Sequence, residues 1–483
     1  MSLPKDLEGF RKKIEQVAKE YGLDFYPTIF ELVSYDQINQ IAAYGGFPVR
    51  YPHWKFGMEY EQLSKSYEYG LSKIYEMVIN NNPCYAYLME GNSKMDQKLV
   101  MAHVFGHCDF FKNNVYFTPT NRKMMDQMGN HSTRVKNYID RYGEDKVEAF
   151  IDVCLSLENL IDRHSHYNNK TLDLYEEQSH KSLILNANKD YMDDYINPVK
   201  VRKEDLENQI RDTKIVFTPQ KDILLFLIQN APLEHWQADI LDIIRSEAYY
   251  YSPQGMTKTL NEGWASYWHS KIMTNNILDD SEIFEFAHKH AGVMAMAENG
   301  YNPYKIGIEL FRDIEDRWNK GRFGKDFEQC TDLREKAHWD KKLNIGKEKI
   351  FEVRKLLNDV SFIDQFLTED FCVRNKLYVY KLNKQTGKHE IDLKNFKAIK
   401  SMLLFKMTNF GQPIITVNHN NYGNRGELFL SHHWEGMELQ PDFLKATMEN
   451  MFKLWKRPIN LKTMSDDKEL IYTYDGAKFG FLK

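Results

Sequence analysis

The chain of 483 residues contains no unbroken run of about 18 uncharged apolar residues, so nothing in it reads as a membrane span. Its N-terminus, "MSLPKDLEGFRKKIEQVAKEYGL", is charged and amphipathic and has no signal-peptide core. Cysteines are few and scattered: Cys84, Cys108, Cys154, Cys330 and Cys372 form no C-x-x-C pair, which argues against both a disulfide framework and a cysteine-based zinc knuckle. A reducing, cytoplasmic setting is the expectation. No glycine-rich phosphate loop is present, and a formal charge of -5 gives no overall basic footprint for nucleic acid. The chain is not short of aromatic side chains: 29 Tyr and 29 Phe require a large interior or a lined groove.

Helical periodicity dominates up to about residue 375, as in "VEAFIDVCLSLENLIDRH" and "HWQADILDIIRSEAYYY". Beyond it the texture becomes strand, helix, strand, strand, helix, strand. The pieces are "KLYVYKL", "DLKNFKAIKSMLLFKMTNFG", "PIITVNH", "GELFLSHHW", "PDFLKATMENMFKLWKR" and "KELIYTYDG". The class expected is α+β, with a large, mainly helical domain over 1–375 and a small ferredoxin-like module over 376–483. "NNYGNRG" supplies the residues that a hairpin turn of positive φ requires. The polar stretch 165–220 reads either as an insertion that could cover a cleft or as a solvated helical pair.

Two stretches carry chemistry. The first is "MAHVFGHCDFF" (101–111): ahead of it Ser93 and Asp96 form a capping box for a helix whose apolar face bears His103 and His107. Imidazoles four apart can point at one ion, and they can equally be packed core residues. In "HWQADILDIIRSEAYYYSPQGMTKTLNEGWASYWHSKI", Glu247 falls on the buried stripe of one helix, while Glu262, Ser266 and His269 share a face of the next. A buried carboxylate needs a cation, a histidine, a metal or a raised pKa. "NEGWASYW" resembles the helix from which gluzincin metalloproteases take their third zinc ligand. His103, His107 and Glu262, with His269 as an added donor, would then form a metal site, zinc first by donor type. The glutamate that serves as base in that class is replaced by Val104, so Glu247 and His235 are the candidate catalytic groups, with Glu90 behind them. The competing reading is a buried His/Glu network that only orders the core. A ferritin-like site ranks below both, because the key helices lack its Glu-x-x-His spacing.

Several long motifs carry a family resemblance: "YPHWKFG" (51–57), "INNNPCYAYLMEGN" (79–92), "AHVFGHCDFFKNN" (102–114), the 235–269 stretch, "NPYKIGIELFRDIEDRWNKGRFG" (302–324), "NDVSFIDQFLTEDFC" (358–372) and "MTNFGQPI" (407–414). Together they resemble the SpoVR family, the stage V sporulation protein R-like proteins, over nearly the whole chain. The resemblance implies a cytoplasmic bacterial protein linked to sporulation and spore cortex formation, or to a stationary-phase or stress response. It also implies a PrkA-type serine kinase and a YhbH/YeaH-like protein as partners, and no settled reaction. Two function classes follow as expectations: a metal-dependent hydrolase, or a non-enzymatic adaptor working with that kinase.

Overall fold

The computed structural model describes residues 3–68, 76–167, 219–295, 301–382, 389–393, 395–465 and 468–482. Most of the polar 165–220 stretch therefore lies outside the described residues. The fold is α+β, and the chain forms two compact units, each assembled from two stretches. The first comprises Met1–Arg141 and Tyr250–Gly411, the second Tyr142–Tyr249 and Gln412–Lys483.

The first unit is helical around a small sheet. Strands β1 (Thr28–Val33), β2 (Glu76–Ile79) and β3 (Cys84–Met89) lie in the order β1-β3-β2, with β1 parallel and β2 antiparallel to β3. β3 leads into the helix Lys94–Asn113, here called the histidine helix, whose start is held by the Ser93/Asp96 capping box. Sixteen of its residues, from Met95 to Phe111, are buried, so it is a central helix and not a surface one.

Two more helices pack around it. The glutamate helix, Lys258–Ile272, has no cap from its own N-cap residue, Thr257. The Asp359 carboxylate supplies the cap from a distant part of the chain, accepting the backbone N–H groups of Thr259 and Leu260 at 2.8 Å each. The third helix, Pro303–Lys320, starts at Asn302, whose side chain accepts from Tyr304 and Lys305, and ends at Gly321 in the left-handed region. It lies so close to the glutamate helix that a Cβ on Gly263 would sit 2.4 Å from the Gly307 Cα. The histidine helix approaches from another side: a Cβ on Gly106 would sit 2.7 Å from the Ala265 Cα. Side chains are absent where the helices touch, which is what brings polar groups on neighbouring turns within bonding range. The core around them includes Val104, Phe105, Phe110, Trp264, Trp268, Ile308 and Phe311.

The 376–411 stretch differs from its expected place. Strand β4 (Val379–Leu382) pairs only with β5 (His389–Leu393) as an antiparallel ribbon, and the helix Phe396–Met407 contributes Ile399 and Leu403 to the first unit's core. Among the described residues, neither joins the later sheet.

In the second unit, β6 (Ile415–Tyr422), β7 (Glu427–His432), β8 (Ile459–Ser465), β9 (Lys468–Tyr474) and β10 (Phe479–Leu482) form a sheet in the order β10-β9-β8-β7-β6. β6 and β7 form the anticipated hairpin, with Gly423, Asn424 and Gly426 at positive φ. The helix Pro441–Trp455 carries the chain across to β8, which runs parallel to β7. This sequential order, with one parallel pair, is not the interleaved ferredoxin order. The physical reason is "INLKTMS", whose buried face at Ile459, Asn460, Leu461 and Thr463 takes the central position.

Candidate metal centre

His103 and His107 stand one turn apart on the histidine helix, with ring centroids 4.5 Å apart and planes at 89°. Both are buried, and both aim Nε2 at the same carboxylate oxygen. His103 Nε2 lies 3.3 Å from Glu262 Oε2, and His107 Nε2 lies 3.5 Å from it. One donor atom from each residue falls within 4.8 Å of the others, the one such cluster of three or more His, Cys, Asp or Glu among the described residues. The Glu262 side chain keeps 18% of its exposure, so the cluster is walled by helices on most sides and open beside the carboxylate.

The outer nitrogens are held as well. His107 Nδ1 lies 2.9 Å from Asn261 Oδ1, and His103 Nδ1 lies 2.9 Å from His269 Nδ1. Because Asn261 Oδ1 can only accept, Nδ1 of His107 carries hydrogen; Nε2 then faces Glu262 either with a second hydrogen, as an imidazolium, or with a lone pair, as a neutral ring. Two acceptors 3.5 Å apart repel unless a proton or a metal ion lies between them. The spacing suits a tetrahedral ion: ligand bonds of about 2.1 Å imply donor-to-donor edges of about 3.4 Å. The anchoring of each ring's far nitrogen is the arrangement that fixes imidazole ligands for metals.

Burial lowers the His103 pKa, and the neighbouring His107 lowers it further against the opposing pull of Glu262. Burial also pushes His269 well below the usual histidine value, with His103 and His290 adding to it. For Glu262, burial works to raise the pKa, and the combined attraction of His107 and His103 outweighs it, holding the carboxyl well below its usual range. Burial thus works against a charge on His103, while the histidines hold Glu262 as the anion that a divalent cation requires.

Behind the cluster, Asp109 on the histidine helix accepts from the Asp24 backbone N–H and from Trp264 Nε1, both at 2.8 Å, with Arg354 Nε at 3.5 Å. The Trp264 bond ties the two helices together two residues beyond His107 on one and two beyond Glu262 on the other. Burial raises Asp109 to about 6, against the attraction of Arg354.

Of the residues singled out in the sequence, His103, His107 and Glu262 come together. His269 does not join their donor atoms. It sits behind His103, with Nδ1 on that ring and Nε2 3.1 Å from His290 Nδ1, because about two further turns of the glutamate helix carry it past the cluster. Glu247 is buried and His235 is exposed, and both belong to the second unit, whereas the cluster belongs to the first. Glu90 is exposed at the end of β3. Val104 is fully buried in the apolar core, so the histidine helix offers no carboxylate beside the first histidine. Sequence reasoning passed over Asn261, His290 and Tyr304, whose ring stacks on His103 at 6.1 Å. Asn261 was in view beside Glu262, but its role depends on where His107 lands; no local pattern marks His290.

These features define a class: an α+β protein of two units with a two-histidine, one-carboxylate cluster on paired central helices. The family description "SpoVR like protein" matches residues 2–412, and the chain belongs to the SpoVR family. It is 34% identical over 333 residues to "Uncharacterized protein YcgB" of Escherichia coli (strain K12), a match covering 64% of this chain and 63% of that protein. No solved structure matches. Among the described residues, no helix is long and apolar enough to cross a membrane.

Proposed function

We propose that this chain is a metal-dependent hydrolase in which His103, His107 and Glu262 hold a divalent ion, zinc by donor type. The observation that carries the reading is the convergence of three donor atoms, with His107 Nδ1 held by Asn261 so that its Nε2 is turned to the carboxylate. A divalent ion there supplies Lewis acidity toward a carbonyl or a water molecule. The chain's own part is to hold the donors with neutral rings, to exclude water on the helix-packed sides, and to leave the Glu262 side open to a substrate. An amide or peptide bond is the substrate class that suits such a site. The proton acceptor has to come from a residue other than position 104, where a valine stands beside His103. The family resemblance adds a setting, sporulation or a stationary-phase or stress response, which belongs to the proposal.

The test is metal content by mass spectrometry on untagged protein purified without chelator, beside His103→Ala and Glu262→Gln. The expected result is near-stoichiometric metal in the parent and loss in both variants. A folded parent that stays empty when zinc is offered would reduce the cluster to a proton-bridged core network.

An adaptor role beside a PrkA-type serine kinase and a YhbH/YeaH-like protein is the second reading. The exposed Met437, Phe443 and Phe481 of the second unit favour it, as apolar side chains available to a partner. Retention of the kinase by the full chain and its loss from a Phe443→Ser variant would support this reading; failure of the full chain to retain it would remove it.

A further inference from the structure

Three imidazoles stand in line from the cluster outward. His103 Nδ1 meets His269 Nδ1 at 2.9 Å, and His269 Nε2 meets His290 Nδ1 at 3.1 Å. His103 and His269 are buried; His290, on the helix Ile283–Val293, is half-buried. At 2.9 and 3.1 Å each of these nitrogen pairs holds one hydrogen between its two rings, and the line is taken with one hydrogen per ring.

A neutral imidazole has one N–H and one bare nitrogen, so each hydrogen bond in the line fixes the direction of the next. Two bare nitrogens at these distances repel, and so do two N–H groups. The line therefore has two consistent orders. With no ion bound, ionised Glu262 takes the hydrogen on His103 Nε2. His103 Nδ1 is then bare and accepts from His269 Nδ1–H, and His269 Nε2 accepts from His290 Nδ1–H. With an ion bound, His103 Nε2 must present its lone pair. Its Nδ1 then carries hydrogen and donates to His269, which donates through Nε2–H to His290 Nδ1, leaving the hydrogen of His290 on Nε2.

We propose that metal occupancy of the His103/His107/Glu262 cluster reverses the hydrogen-bond order of the His103–His269–His290 line and so is displayed at His290. This rests on the metal reading given above. The change is balanced. The proton on His103 Nε2 leaves as the ion binds, one proton shifts inward across each of the two hydrogen bonds, His290 Nε2 takes one from solvent, and each ring still holds one. His269 is thus a positioning residue and not a ligand, and the half-buried end of the line distinguishes loaded from empty protein.

The experiment uses the full chain labelled with ¹³C at histidine Cδ2, whose shift separates the two tautomers, first stripped by chelator and then titrated with zinc ion alone. Bound zinc is counted in the same samples. The expected result is an upfield move of the His269 and His290 signals on zinc binding, marking the passage from Nδ1–H to Nε2–H. In His269→Ala the His290 signal loses its response. Zinc that binds while His290 keeps its tautomer in the unmutated chain overturns the coupling and leaves the metal site standing. Zinc that does not bind at all overturns the metal reading, and the coupling with it. Because the unmutated chain decides the matter, a His269 variant that fails to fold does not protect the proposal.

Discussion

Gly106→Ala tests whether helix packing sets the cluster. The added methyl would stand 2.7 Å from the Ala265 Cα and 3.2 Å from its Cβ, where ordinary contact begins at about 3.5 Å. The neighbour on the near side is backbone, so no side chain can swing away. The histidine and glutamate helices must separate by somewhat under about 1 Å. Replacing a mid-helix glycine by alanine gains about 1 kcal/mol in propensity, whereas overpacking a tight core costs about 1 to 3 kcal/mol. The net change is a loss of about 0 to 2 kcal/mol, which the protein survives. The site is less tolerant. Gly106 lies between His103 and His107, so a separation acts directly on their 3.3 and 3.5 Å distances to Glu262. Metal sites hold their bond lengths within about 0.2 Å, so a shift several times larger should weaken zinc binding by at least about tenfold, or about 1.4 kcal/mol.

The assay pairs urea unfolding with zinc competition against a chromophoric chelator. Gly9→Ala is the control: Gly9 is helical, and a Cβ there meets nothing within 4 Å, so this variant should gain up to about 1 kcal/mol and leave zinc binding alone. If Gly106→Ala behaves like Gly9→Ala in both measurements, the contact does not set the site and the reasoning fails.

Two further predictions follow from the supports of the cluster. Burial raises the Asp359 carboxyl to about 7 against the pull of the Thr259 and Leu260 N–H groups, while in the unfolded chain it titrates at about 3.9. The folded chain thus keeps a proton that the unfolded chain has lost, so this group's stabilisation is full below about pH 4 and drains as pH rises through about 7. The amide introduced by Asp359→Asn cannot titrate, so relative to the parent the variant should gain up to about 1.4 kcal/mol per pH unit between about pH 5 and 7 in urea unfolding; a constant difference would show the carboxyl is not raised. Asn261→Ala removes the acceptor that orients His107, and zinc affinity should fall about 10- to 100-fold in the competition assay. An affinity within about twofold of the parent would exclude Asn261 from that role.

Local patterns made much of this legible. The Ser93/Asp96 capping box, the shared face of His103 and His107, and the turn residues Gly423 and Asn424 all depend on neighbours within a few positions, and all appear as expected. Glu262 was reachable because a buried carboxylate needs a counter-group. What escaped depends on tertiary placement. The helix His235–Met256 passes from the second unit to the first near Tyr250, so Glu247, correctly placed on a buried stripe, belongs to a different unit from Glu262. β8 was missed because "INLKTMS" interrupts its apolar residues with Asn460 and Lys462, and the partners that reward it, β7 and β9, are visible only in the sheet.

The placement of cost within the first unit bears on why the cluster exists. A helix pair selected for stability alone would be filled with leucine and alanine, since replacing buried ion pairs by apolar residues is often neutral or stabilising. This pair instead buries His103, His107, His269, Asn261, Asp109 and the capping carboxylate of Asp359, and leaves the Ser266 Oγ without a hydrogen-bond partner among the described residues. Each polar group without full compensation costs about 1 to 3 kcal/mol. The glycines at 106, 263 and 307 add the entropic penalty of glycine within helices in exchange for close approach. Such costs fall where stability is not the property being served, and they surround one point, the carboxylate oxygen facing two imidazole nitrogens. The buried base position argues the same way. Val104 is buried within the apolar core, where a glutamate would be an uncompensated charge, so any chemistry at this centre must take its proton acceptor from elsewhere.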